Sequence, residues 1–208
     1  MTPGADVLVW LVDADAVDED LLAAFVTWLG ASERARSDRF LRPARRRQFI
    51  VGRGLLRLAL GRLLGCAPSA IVLRERTGQA PELVSEVEVG FSVSHSGRWV
   101  ACAAATGMAL GLDIEDIDRA RDVAALAEQA FESQDLAAVL VCAPHDRHAA
   151  FYRLWCQHEA RIKLGRPSVV EYAWQRGDLA VSLASSMPMS ATPVLTLVRP
   201  GDWCGAGG

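Results

Sequence analysis

Two spacings of apolar residues recur along the chain, and each predicts a kind of element. Val7 to Val12 (VLVWLV) is a short apolar run ending at acidic residues, which predicts a buried strand. Asp18-Glu19-Asp20 opens an amphipathic helix through Leu21, Leu22, Phe25 and Leu29, stopped by Gly30. Ser32 to Phe40 reads as a short basic helix. Pro43 stands in the first turn of a longer one running to about Leu64, with Phe49, Ile50, Leu56, Leu60 and Leu63 on its apolar side. Ile71 to Leu73 and Phe91 to Val93 read as strands on either side of a turn-rich stretch, TGQAPEL. Trp99 to Ala105 and Ala109 to Ile114 read as a hairpin around Thr106-Gly107.

The second half repeats this outline. Ala109 to Ile114 ends in acids, helices follow at about Val123 to Ala130 and Ser133 to Val141, and a long helix runs from about Arg147 to Leu164, closed by Gly165 and Pro167. The tail from Tyr172 to Val198 holds short strand-like segments (LAVSLA, VLTLV), and Gly201 to Gly208 is expected to fray. Strand, helices and long amphipathic helix thus occur twice, about 100 residues apart. The expected fold class is α+β: two pseudo-duplicated α/β lobes, residues 1–105 and 106–208, each a small sheet packed against a long helix. A cleft between two such lobes is a common place for a ligand.

Composition narrows the class. At 208 residues, 51% hydrophobic and 23% charged, the bulk of the chain is neither disordered nor fibrous. Met1 to Trp10 lacks the pattern of a signal peptide, and the longest apolar run, Trp99 to Leu112, is too short to span a bilayer. Five cysteines without Cys-x-x-Cys spacing argue against a disulfide framework or a zinc knuckle. A reduced, cytoplasmic protein is expected, its cysteines mostly small core residues.

The net charge of −3 hides an uneven distribution. Glu33 to Arg76 carries twelve Arg against three acids, a balance of +9, so the remainder stands at −12. An anion can dock on one part while another holds a metal or cation; a solvated helical face is the alternative. Lys163 is the only lysine among 22 basic residues. A lysine that survives such a bias can supply the compact, tunable ammonium that Arg cannot, unless it survives by chance.

Three segments carry candidate chemistry. In Gly111-Leu-Asp113-Ile-Glu115, strand alternation turns Asp113 and Glu115 to one side, about 6.6 Å apart along the backbone. Two hard oxygen ligands with positions left for water and phosphate suit Mg²⁺; a strand end entering an acidic turn is the other reading. Along Phe151 to Gly165, Trp155, Glu159 and Lys163 follow at i, i+4 and i+8, lining one helical face. They read either as a surface Glu–Lys pair, worth about 0.3–0.5 kcal/mol, or as a third metal carboxylate beside a phosphate-facing lysine. In Phe91 to Trp99, Ser94-His95-Ser96-Gly97 reads as a phosphate-holding turn. A Ser–His nucleophile pair is disfavoured, because neighbouring side chains on a strand point apart.

Taken in order, RFLRPARRRQFIVGRGLLR, TGQAPEL, FSVSHSGRWV, GLDIEDI and FYRLWCQHEARIKLG resemble the 4′-phosphopantetheinyl transferase family, in particular its two-lobed, surfactin-synthetase-activating branch that serves secondary-metabolite synthases. The resemblance covers about Arg34 to Gly165. It implies that fold, with a ligand cleft between the lobes. It also implies transfer of the phosphopantetheine arm of coenzyme A to a serine of an acyl, aryl or peptidyl carrier protein, releasing 3′,5′-ADP. Matched by motif, Asp113, Glu115 and Glu159 would bind Mg²⁺, with Asp113, Glu159 and Lys163 as the catalytic residues. Lys163 would also face the pyrophosphate, and His95 with Ser94 the nucleotide phosphates. Arg36 is the nearest match to the basic residues at the 3′-phosphate, followed by Arg47 and Arg53. The nucleophile would come from the apo carrier protein, with Ile117 to Leu140 as the docking segment, although most of Val123, Leu126, Phe131 and Leu136 read as core.

The pattern departs from the family at His158, where Lys is usual before the glutamate, and at Gly78-Gln79-Ala80-Pro81, in place of a Gly-Lys-Pro turn. These departures leave a non-catalytic coenzyme A or carrier-binding module as the alternative function. The acidic remainder and the scarcity of aromatics among the arginines argue against nucleic acid as a partner. A monomer that binds no membrane is expected.

Overall fold

The computed structural model describes residues 7–76 and 79–203. The expectations for Gly201 to Gly208, apart from residues 201–203, and for Thr77, Gly78 and Cys204 lie outside the described residues. The protein is a mixed α/β structure with six helices and three sheets among them.

The N-terminal half supplies β1 (Leu8–Asp13), α1 (Glu19–Trp28), α2 (Ala31–Ser37), α3 (Pro43–Leu64), β2 (Leu73–Arg74), β3 (Glu82–Leu83), β4 (Val89–Ser96) and β5 (Trp99–Thr106). The C-terminal half supplies β6 (Leu110–Asp116), α4 (Val123–Ala130), α5 (Ser133–Leu140), α6 (Arg147–Leu164), β7 (Val170–Arg176), β8 (Leu179–Ser185) and β9 (Leu195–Leu197). Local chemistry sets the helix ends. Asp18 caps α1 by accepting from Leu21 N–H, and Gly65 and Gly165 close α3 and α6 in the left-handed region that favours glycine.

One sheet has the order β4-β5-β1-β9, another β6-β8-β7, and β2 with β3 forms a separate ribbon. Strand β9, from the second half of the chain, pairs parallel with β1 of the first. The two larger sheets pack face to face. Val9, Leu11, Ala101, Ala103 and Ala105 meet Leu110, Leu112, Ile114, Val181 and Leu183 between them. Small residues on that face of β5 let the sheets approach, while its other face, with Val100, Cys102 and Ala104, packs under α3. Beyond the second sheet, α4, α5 and α6 share a core of Val123, Phe131, Val139, Phe151, Leu154 and Cys156. The reading of Val123 and Phe131 as core holds, and Leu126 and Leu136 pack partly buried against them.

Two expectations are corrected. Trp99 to Ala105 and Ala109 to Ile114 do not form a hairpin. Both edges of β5 are taken, by β4 through the Gly97-Arg98 turn and by β1, so the chain turns at Gly107 and β6 joins the other sheet. Of the four described cysteines only half are core: Cys102 and Cys156 are buried, but Cys66 is exposed and Cys142 intermediate. Among the described residues no helix is long and apolar enough to cross a membrane.

Candidate active site

Strand alternation builds the centre of the site. On β6, Leu110, Leu112 and Ile114 enter the core between the sheets, while Gly111, Asp113 and Glu115 turn toward α6. Gly111 is needed there, because a Cβ would lie 1.9 Å from the Ala160 carbonyl oxygen. That close approach brings α6 over Asp113, where Lys163 donates from Nζ to Asp113 Oδ1 at 2.7 Å and to Ser94 Oγ at 3.0 Å. Ser94 in turn donates to Asp113 Oδ1 at 2.9 Å. Asp113 is only 4% exposed, and its Oδ2 is buried without a hydrogen-bond partner.

Two cavities flank this node. The first, about 590 Å³, is acidic and aromatic, with Glu115, Glu159, Trp155, Tyr152, Phe131 and His158 in its wall. Glu115 accepts from Ser96 Oγ at 2.8 Å. Burial pushes its carboxyl above the usual range and the Asp113 charge adds to this, while hydrogen bonds from Ser96 and Trp155 and the charge of Lys163 act the other way. His158 Nε2 lies 2.8 Å from Asp135 Oδ2 on α5. On the inner side of α6, Cys156 is fully buried, and burial followed by the charges of Asp113 and Glu115 pushes its thiol up.

The second cavity, about 800 Å³, is basic. Arg36, Arg45, Arg53, His95 and Lys163 line it with Phe40, Phe49 and Phe91. Arg45 donates from Nη1 to His95 Nδ1 at 3.1 Å, which fixes the neutral tautomer with its proton on Nε2. Partial burial, then the Arg45 charge, holds the His95 imidazole below its ordinary pKa. Ile162 lines both cavities, so α6 is the wall between them.

The structure brings Arg36, Arg53, His95 and Lys163 to the basic cavity and leaves two expected residues out of it. Arg47 is tied elsewhere, donating to the carbonyls of Ala14 and Val17 and to Glu19 Oε1. Ser94 is buried against β6. Arg36 and Arg53 are not free cations: Glu75 pairs with both, and Arg53 also meets Glu33 at 3.1 Å. Glu33 and Arg57, 0% and 1% exposed, are paired beneath them. Arg45 was not among the expected residues, yet helical spacing marks it. Arg45, Phe49 and Arg53 follow at i, i+4 and i+8 on the cavity side of α3, and Arg47 falls off that line.

The three carboxylates expected to share one cation are not gathered here. Among the described residues, no three His, Cys, Asp or Glu side chains stand together so as to hold a metal ion. Lys163 has taken one oxygen of Asp113, and an ammonium there offsets the repulsion of neighbouring carboxylates. Three carboxylates have the chemistry of ligands for a hard dication, although Asp113 lines neither cavity. Asp113 keeps a buried, unpartnered oxygen, and Glu115 and Glu159 face one cavity.

With this geometry, comparison with known proteins is specific. Residues 16–107 match the family model of the 4′-phosphopantetheinyl transferase N-terminal region, and residues 109–184 match that of the 4′-phosphopantetheinyl transferase superfamily. The chain belongs to the 4′-phosphopantetheinyl transferase family. The 4′-phosphopantetheinyl transferase HetI of Nostoc is 26% identical over 204 residues, covering 96% of this chain and 85% of that protein. A 4′-phosphopantetheinyl transferase of Bacillus subtilis is 27% identical over 71% of this chain, and Sfp of Bacillus subtilis 25% identical over 67%. The chain spans 63% and 61% of the length of those two proteins.

Proposed function

We propose that this protein transfers the 4′-phosphopantetheine arm of coenzyme A to a serine of an acyl, aryl or peptidyl carrier protein. The observation that carries the reading is the node of Asp113, Lys163 and Ser94 between a basic and an acidic cavity. Family membership supports it. The matching strand orders β4-β5-β1 and β7-β8-β6, each with a long helix, support two pseudo-duplicated lobes with the ligand cleft between them.

In this reading the coenzyme phosphates lie in the basic cavity, where Arg36, Arg45, Arg53 and the Nε2–H of neutral His95 face them. The positive charges there favour a polyanion and orient its pyrophosphate toward Lys163. Asp113, Glu115 and Glu159 would hold Mg²⁺, which when bound supplies charge neutralisation for phosphoryl transfer. The carrier serine enters from the acidic cavity. Glu159, directly or through a water, accepts its proton. A serine oxygen–phosphorus bond forms at the phosphorus bearing the pantetheine, and the bond to the adenylate phosphate breaks. Lys163 moves its ammonium toward the leaving 3′,5′-ADP as charge builds. The protein is read as a cytoplasmic monomer, with the exposed face of residues 117–140 as the carrier docking segment.

Mixing the protein with coenzyme A, Mg²⁺ and a panel of apo carrier proteins, then weighing the carriers, tests the reading. A mass gain of one phosphopantetheine on a carrier serine is expected. Coenzyme binding with no carrier gaining mass would overturn it in favour of a binding module.

A further inference from the structure

Every second residue of β4 from Ser92 to Ser96 is a serine, and β6 lies alongside with its own period of two. Ser92 Oγ accepts from Leu112 N–H at 2.9 Å, Ser94 Oγ from Ile114 N–H at 3.3 Å, and Ser96 Oγ from Asp116 N–H at 3.0 Å. No backbone ladder joins the two strands, which belong to different sheets. The hydroxyls do instead what a neighbouring strand's carbonyls would do for this edge of β6.

A hydroxyl has one proton and two lone pairs. Once a backbone N–H fixes its oxygen, its proton remains to be donated. Ser94 gives it to Asp113 Oδ1 at 2.9 Å and Ser96 to Glu115 Oε2 at 2.8 Å. Ser94 also accepts from Lys163, so its one donor and both acceptor positions are in use. Ser94 and Ser96 therefore each link a rigid backbone donor to a carboxylate one residue earlier on the same strand. His95, between them, points to the other side, toward Arg45 and the basic cavity.

We infer that Ser94 and Ser96 are positioning residues that hold the carboxylates of Asp113 and Glu115 in fixed orientation for cation binding. The inference rests on the proposed role of those carboxylates. It assigns a purpose to the Ser-x-Ser-x-Ser register: the spacing that docks β4 on β6 also orients the two acids. The anchoring backbone N–H belongs to β6 itself, so the carboxylates keep their orientation relative to the strand that bears them.

The experiment titrates Mn²⁺ by electron paramagnetic resonance into the full-length protein with saturating coenzyme A, for wild type, Ser96→Ala, Ser96→Thr and Glu115→Gln. Loss of a hydrogen bond to a metal ligand lowers metal affinity about 10- to 100-fold, so Ser96→Ala is expected near the lower figure and Ser96→Thr within about threefold of wild type. Metal-free affinity for coenzyme A, measured by calorimetry, is expected unchanged in both serine variants. Should Ser96→Ala fail to fold, Ser96→Cys takes its place, since a thiol donates only weakly. Wild-type Mn²⁺ affinity in Ser96→Ala, or an equal loss of metal-free coenzyme affinity, overturns the positioning role. If Glu115→Gln weakens Mn²⁺ binding and Ser96→Ala does not, only this inference falls. If Glu115→Gln also binds as wild type, the metal reading of the acids falls with it.

Discussion

Two buried clusters of charge border the basic cavity, and they differ in the sign of their surplus charge. Under α3, both oxygens of Glu33 are taken, by Arg57, Arg53 and the Gly30 N–H, and both oxygens of Glu75 by Arg36 and Arg53. Three guanidiniums face two carboxylates, and Arg53 Nε and Arg57 Nε are buried without a hydrogen bond. At α6 and β6 the balance is reversed: Asp113, Glu115 and Glu159 have one ammonium, Lys163, nearby, and Asp113 leaves an oxygen with no partner. Burial alone therefore does not separate structural charge from functional charge. The paired cluster fixes α2 on α3 and sets the guanidiniums at the cavity rim. The under-neutralised one holds a deficit of positive charge that an incoming cation would fill.

Breaking the second cluster is expected to cost most in activity and the first most in stability. Glu159→Gln is expected to lower carrier loading by about a hundred- to ten-thousand-fold, the range of general-base contributions, with the circular dichroism spectrum unchanged. Arg57→Ala leaves a charge on fully buried Glu33 with half its guanidinium partners gone. It is expected to destabilise the fold by about 3–5 kcal/mol in urea titrations. The apolar pair Glu33→Leu with Arg57→Met is expected to recover most of that loss, as a structural ion pair allows.

Glu115→Gln moves the two properties in opposite directions. The Glu115 carboxyl is raised by burial, so the folded protein binds a proton there more readily than the unfolded chain. Its ionised form therefore opposes folding above the ordinary carboxylate range. Removing the charge is expected to raise the melting temperature at neutral pH by at most about 2–4 °C, while loading falls. The smallest effect belongs to His95, whose pKa is lowered by partial burial and then by Arg45. There the unfolded chain takes up its proton first as pH falls. The stability linked to neutral His95 is complete above its ordinary value of 6.5 and is lost as pH falls toward its lowered one. His95→Gln is expected to flatten stability against pH in that window. An unchanged slope would show that burial and the Arg45 charge do not hold His95 in its neutral form.

The long elements were legible because local chemistry determines them: Pro43 and Gly65 bound α3, and Gly165 ends α6. Alternation on a strand and spacing on a helix made two juxtapositions legible, Lys163 on Asp113 and Glu115 with Glu159 at one cavity, but not that the three carboxylates stand apart. The partner of β6 was not. Nearness in sequence suggested a hairpin with β5, and only the tertiary structure shows both edges of β5 filled. The Ser94 contact with Asp113 was not legible either, because the sequence does not say that β6 lies beside β4. Arg47 and Arg45 differ by two positions, about 200° around a helix, and the basic run around them masks which one faces the cavity.

The central claim is that the carboxylates of β6 and α6 together hold a dication beside the coenzyme. Crystals grown with coenzyme A and MnCl₂, measured at a wavelength where manganese scatters anomalously, test it most directly. The account predicts an anomalous peak bound by Asp113, Glu115 and Glu159, with Lys163 turned from Asp113 toward phosphate. Coenzyme bound in the basic cavity with no manganese on these carboxylates, and Lys163 still paired with Asp113, would contradict it.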